Sequence, residues 1–179
     1  MIPQFLLYFL LPLWLAAGVS DYLCHRRTHI EQTSGMGEAV LHVLQAVEVG
    51  IPLLMGLFLE INGLVLLIMI AFVLAHTLSA LWDGLYTTPK RYISPIEQHI
   101  HSHLEYIPIM AVSLVVLLHW EAFAALFGAA DEGASFALRL KENPIPARYV
   151  LAVLGAIFVF QGALLFEETF RCWRAKHTQ

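Results

Sequence analysis

The chain has 179 residues, of which 59% are hydrophobic and only 13% charged, with a formal net charge of −4 and a mean hydropathy of +0.69. That composition excludes an ordinary soluble domain, and the lack of any long basic run excludes a phosphate-tracking surface, so no nucleic-acid partner is expected. Nine histidines stand against ten Lys and Arg together, in a chain that should avoid ionisable groups.

The first apolar span is expected from about Ile2 to Ser20, its helix continuing through Asp21, His25 and His29 until Thr33-Ser34-Gly35 breaks it. No basic stretch precedes it, so it is read as a retained span and not a cleaved signal. A second span runs from about Gly37 to Leu59 with a kink at Pro52, and Glu60-Ile61-Asn62-Gly63 turns tightly into a third, about Leu64 to Leu85. The fourth opens on a start signal, Ser94-Pro95-Ile96-Glu97, which supplies an N-cap, a proline at the first helical position and a capping-box glutamate. Apolar residues then continue to about Phe127. Gly128 to Pro146 reads as a polar connection with a short surface helix around Phe136 to Leu140, and Tyr149 to Phe166 as the fifth span. The expectation is an all-α integral membrane protein, one polytopic domain over residues 1–179, with five transmembrane helices. Four of them would form a bundle with a metal site at its cytoplasmic end.

Five spans put the first connection, the third connection and the C-terminal tail on one side. Arg26, Arg27, Lys90, Arg91, Arg171, Arg174 and Lys176 fall there, against Arg139, Lys141 and Arg148 on the other side, where Asp131, Glu132 and Glu142 accompany them. The positive-inside bias makes the first side cytoplasmic and puts the N-terminus outside. His25, His29, His42, His76, His99, His101 and His103 all gather at that cytoplasmic end with Asp21, Glu31, Glu38, Asp83, Glu97 and Glu105. His119 and His177 fall outside the group and read as ordinary surface or interface residues.

Spacing sharpens the cluster. Asp21, His25 and His29 stack on one stripe at intervals of four, as do Glu38 and His42 with Gln45 one turn on; His76 and Asp83, seven apart, again share a face. On the fourth helix His99 and His103 share a stripe, whereas His101 and Glu105 point roughly 160° away at about 100° per residue. His99 and His103 are therefore preferred as ligands, and His101, Glu105 and Glu48 are left open. Ionisable groups at bilayer depth need partners. Imidazoles facing carboxylates on four helices describe a site for hard or borderline divalent cations, with Asp21, His25, His29, Glu38, His42, His76, Asp83, His99 and His103 as candidate ligands and Glu38 and Asp83 as candidate catalytic carboxylates. That donor set is too large for one ion and fits two. Mixed nitrogen and oxygen ligation points to iron first, with zinc or manganese as alternatives; Cys24, Cys172 and Met36 offer little to copper. Glu48 is expected to line a cavity or to pair with Gln161 or Ser113, and Arg91 to meet a lipid phosphate or acidic headgroup.

His25-x3-His29 at the end of one span and His99-x-His101-x-His103 at the start of a later one resemble the histidine boxes of the integral-membrane di-iron oxygenases: fatty acid hydroxylases, desaturases and alkane hydroxylases. The resemblance covers about residues 21–105, without that family's adjacent His-His boxes and with Glu38 and Asp83 added. It implies two irons that use O2 on a lipid or hydrocarbon held between helices, with Glu38 or Asp83 bridging and Asp21 and Glu105 orienting imidazoles. No GxGxxG stretch, haem-attachment motif or cysteine cluster is present, so a separate ferredoxin-like or cytochrome-like electron donor is implied. Two other functions use the same ligands: a zinc-dependent hydrolase of a lipid amide or ester, and a metal-ion transporter or sensor.

Overall fold

A computed structural model describes residues 1–129 and 136–178; Asp131 and Glu132, counted above for charge, lie outside the described residues. Five helices are long and apolar enough to cross a membrane: α1 (Ile2–Thr28), α2 (Met36–Phe58), α3 (Gly63–Thr87), α4 (Pro95–Leu118) and α6 (Ala147–His177), with a short α5 (Trp120–Ala125) after α4. Within α1, Pro12 has no N–H to offer the carbonyl one turn before it, and the ladder widens to a π-turn over Leu6–Leu10. The starts follow their capping chemistry. Asn62 accepts from the Val65 N–H at 3.2 Å to open α3, and Ser94 accepts from the Glu97 N–H at 3.2 Å to open α4.

Several boundaries differ from expectation. His29 adopts the left-handed conformation (φ 50°) and its N–H closes on the His25 carbonyl, so α1 ends at Thr28, just before His29. The fourth helix breaks at His119, well before Phe127. Residues 136–140 form no helix. Leu140 instead pairs with Leu59 in one antiparallel bridge: Glu60 N–H donates to the Arg139 carbonyl at 2.9 Å and Lys141 N–H to the Phe58 carbonyl at 2.9 Å. This strap is tied further by Asn62 Nδ2 donating to the Ala137 carbonyl. The last helix does not end at Phe166 but continues to His177 and packs on α2, on α1 and on the 3-10 turn Ile30–Gln32. Five helices, not four, therefore build the polar end of the bundle.

The polarity is inverted relative to a soluble protein. Leu74, Leu78, Leu81 and Leu85 along α3 are exposed, while Asp21, His25, Glu38, Glu48, His76, Asp83, Arg91, Glu97 and Glu168 are buried. Apolar side chains facing outward and ionisable ones facing inward is the arrangement that hydrocarbon surroundings demand. The interior has two halves. One end holds the ionisable cluster, and the other an apolar cavity of about 420 Å³ lined by residues such as Leu10, Trp14, Pro52, Met69 and Ile107.

Candidate metal centre

The cluster forms where the end of α1, the start of α2, the end of α3, the start of α4 and the last third of α6 lie side by side. Its organising residue is Glu168. One carboxylate oxygen meets His42 Nδ1 at 2.7 Å and the other meets His25 Nδ1 at 2.9 Å. A carboxylate only accepts, so both rings carry a proton on Nδ1 and turn Nε2 to the opposite side, where it offers a lone pair when the ring is neutral. The two imidazoles stack, with centroids 4.7 Å apart and planes 4° from parallel.

Carboxylates face those Nε2 atoms. His25 Nε2 has Asp21 Oδ1 and Glu97 Oε1 each at 3.5 Å, and His101 Nε2 lies 2.9 Å from the same Asp21 oxygen. His42 Nε2 has Asp83 Oδ2 at 3.3 Å. Glu38 Oε1 stands 3.9 Å from both Nε2 atoms, shared between the two groups. Candidate ligand atoms of Asp21, His25, Glu97 and His101 all lie within 4.8 Å of one another, and so do those of Glu38, His42 and Asp83. His25 Nε2, His42 Nε2, Asp21 Oδ1, Asp83 Oδ1 and both Glu97 oxygens are buried without a hydrogen bond. Acceptor atoms converging in a buried space repel one another unless a cation or protons lie between them.

Arg91 braces the cluster. Its guanidinium takes Glu38 through Nε (3.1 and 3.2 Å) and Nη2 (2.5 Å) and lies 2.6 Å from Glu97 Oε1, although that last contact is off the line of a hydrogen bond. Burial pulls its pKa down, yet bonding and attraction from Glu38 and then Glu97 hold it above the ordinary arginine range. Ser34 donates to the other side of Glu38. Five buried carboxylates (Asp21, Glu38, Asp83, Glu97, Glu168) against one guanidinium leave four negative charges when the imidazoles are neutral, the charge two divalent cations carry.

Of the residues expected as ligands, Asp21, His25, Glu38, His42 and Asp83 are brought together. His29 is not: its side chain is 66% exposed and pairs with Glu31 at 3.3 Å. His76 is buried but faces Glu48 and the Leu104 carbonyl, not Asp83. His99 and His103 lie edge to face with each other on the outer stripe of α4, and His103 Nδ1 donates to the His99 carbonyl. The inner stripe carries Glu97 and His101. Glu105 is not in the cluster; Glu168 orients the His25 and His42 rings, and Asp21 meets His101 Nε2 at 2.9 Å. Glu48 pairs with Ser79 at 2.6 Å and not with Gln161 or Ser113. Arg91 is buried against carboxylates and unavailable to a lipid phosphate.

Glu97, His101 and Glu168 are what sequence reasoning missed. A signal for the first two existed: Asp21/His25, Glu38/His42 and Glu97/His101 repeat one pattern, a carboxylate four residues before a histidine, on three helices. No protein-family model, curated protein or solved structure matches the chain.

Proposed function

We propose that the chain is a membrane-embedded two-metal oxidoreductase, with iron as its metal, acting with O2 on a lipid or hydrocarbon. The observation that carries the reading is the pair of Nε2 atoms on His25 and His42, turned by the single Glu168 carboxylate towards four more carboxylates and buried without a hydrogen bond. One metal would be held by Asp21, His25, Glu97 and His101, the other by His42 and Asp83, and Glu38 would bridge. All donors are nitrogen or oxygen, which favours iron, manganese or zinc over copper. Carboxylate and histidine pairs projecting inward from several helices are also how helical bundles build di-iron sites. Bound iron would supply O2 activation. The protein's own contribution is to fix both imidazoles in one tautomer, to hold Glu38 and Glu97 with Arg91, and to keep bulk water out.

The apolar cavity supports a hydrocarbon substrate. Its inner residues Trp14 and Val49 stand seven positions from Asp21 and His42 on their own helices, about 10 Å of helical rise. The Lys and Arg bias supports a cytoplasmic metal end and an electron donor delivered from that side.

Elemental analysis of protein purified from iron-replete cells tests the reading. Close to two irons per chain are expected, falling to one or fewer in His42→Ala, together with O2 uptake stimulated by lipid and a reductant. Fewer than one metal per chain, unchanged in His42→Ala, would leave a self-contained polar network. Two zinc ions without O2 uptake would keep the site and overturn the redox chemistry.

A further inference from the structure

The apolar cavity has a polar rim at the end remote from the ionisable cluster. His119, Lys141 and Asn143 line it there, while Trp14, Val73 and Ile107 line its inner end. From Ile107 to Leu118 on α4, and from Pro3 to Trp14 on α1, the walls extend for eleven residues, about 16 Å of helical rise. The strap positions the cation: Lys141 N–H is pinned to the Phe58 carbonyl, and the neighbouring Glu142 N–H to Glu60 Oε1 at 2.8 Å. Glu60 thus spends one carboxylate oxygen on the strap's backbone, and Lys141 pairs with no carboxylate among the described residues. Burial, then the positive charge of Lys141, lower the pKa of His119, with Glu60 opposing, so His119 stays a neutral hydrogen-bonding group beside the ammonium.

We propose that this cavity is a binding site for a single-chain amphiphile with a carboxylate head, seated with the head at Lys141, His119 and Asn143 and the methyl end of the chain towards Trp14. The volume suits one chain and falls within the usual range for ligand pockets. The inner wall offers almost no polar group except the indole N–H of Trp14, which is buried and unbonded, so the charged end has one place to go. The inference rests on the functional reading above for its consequence: the part of the chain nearest the metal layer is the tail, so oxidation would fall at or near the methyl end and not beside the head. Binding itself does not depend on the metals.

Trp14 reports the orientation. Trp82, Trp120 and Trp173 are 66, 56 and 48% exposed, so Trp82→Phe, Trp120→Phe and Trp173→Phe together leave Trp14 as the one indole at little structural cost. In that variant, reconstituted in phosphatidylcholine nanodiscs, stearate carrying a nitroxide at carbon 16 should quench Trp14 severalfold more than stearate labelled at carbon 5. The reverse order would overturn the orientation. Lys141→Glu should weaken the carboxylate probe on the order of tenfold and leave a nitroxide-labelled long-chain alcohol unchanged; equal loss of both, or of neither, would overturn the head-group assignment. Ala111→Phe, which fills the cavity without adding an indole, should abolish quenching by either stearate while metal content stays at its wild-type value. Nitroxide-labelled phosphatidylcholine quenching Trp14 as strongly at equal mole fraction would overturn the single-chain class. Quenching in the expected order in a protein without metal would leave this site standing and remove the oxidoreductase reading; two irons without ordered quenching would do the opposite.

Discussion

Glu168 spends each of its oxygens on a different imidazole, which makes it the residue whose replacement divides the two halves of the centre. Glu168→Gln keeps one oxygen but puts an amide N–H2 where the other stood, so one ring keeps its acceptor and the other meets a donor. The expected outcome is loss of about one metal per chain, read by elemental analysis, whereas Glu168→Ala frees both rings. Loss of an orienting partner typically lowers metal affinity about 10- to 100-fold per site, which titration with the metal would show. Arg91 is the complementary case. Arg91→Met removes the one buried guanidinium among the described residues and leaves Glu38 and Glu97 without it; the metal-loaded protein should survive this far better than the metal-free one, and the difference between their unfolding midpoints measures it. At this scale the sequence was partly legible. Asp21/His25 and Glu38/His42 could be read from their spacing, but α4 carries two stripes of that spacing, and a capping role for Glu97 hid the inner one. Ser94 caps as expected, but the Glu97 side chain is buried among Arg91 and His25 instead of serving only its own helix start.

Among the elements, the junction of α1, α2 and α3 carries the fine positioning. Gly35 has φ +65°, a conformation that suits glycine, and starts α2 at the angle that brings Glu38 inward. At Gly37 the constraint is contact. A Cβ there would collide with the Tyr86 hydroxyl, which donates to the carbonyl of Ser34, a residue whose own side chain bonds Glu38. Gly37→Ala should therefore destabilise the fold by about 1 to 3 kcal/mol and disturb Glu38. Adding Tyr86→Ala should recover part of that loss, and a double-mutant cycle on unfolding in detergent would show the coupling. Element existence was legible because apolar runs of span length admit few alternatives. Their ends were not. The turn at His29 is a left-handed residue that no periodicity announces, and the charged continuation of α6 beyond Phe166 reads as a tail unless its packing against α2 is known. Glu168 was invisible for the same reason.

At the scale of the whole molecule, a polar half and an apolar half share one bundle, and each explains the other's cost. Four uncompensated negative charges are expensive to bury, and they persist only with counter-charge from cations or protons. If cations supply it, folding and metal binding are one equilibrium: each site adds about 2.7 kcal/mol when free metal stands at 100 times its dissociation constant. A chelator should then lower the unfolding midpoint of the purified protein substantially, and returning iron should restore it. The pH dependence has a definite sign. Protons compete for the Nε2 and carboxylate lone pairs that hold the metal, so retention should fall as the pH is lowered and the stabilisation by metal should shrink with it. Metal content and unfolding midpoint measured side by side from pH 8 to pH 5 should fall together. A midpoint unmoved by chelator across that range would mean that the buried carboxylates and imidazoles satisfy one another without metal, and the centre would have to be read as a structural network.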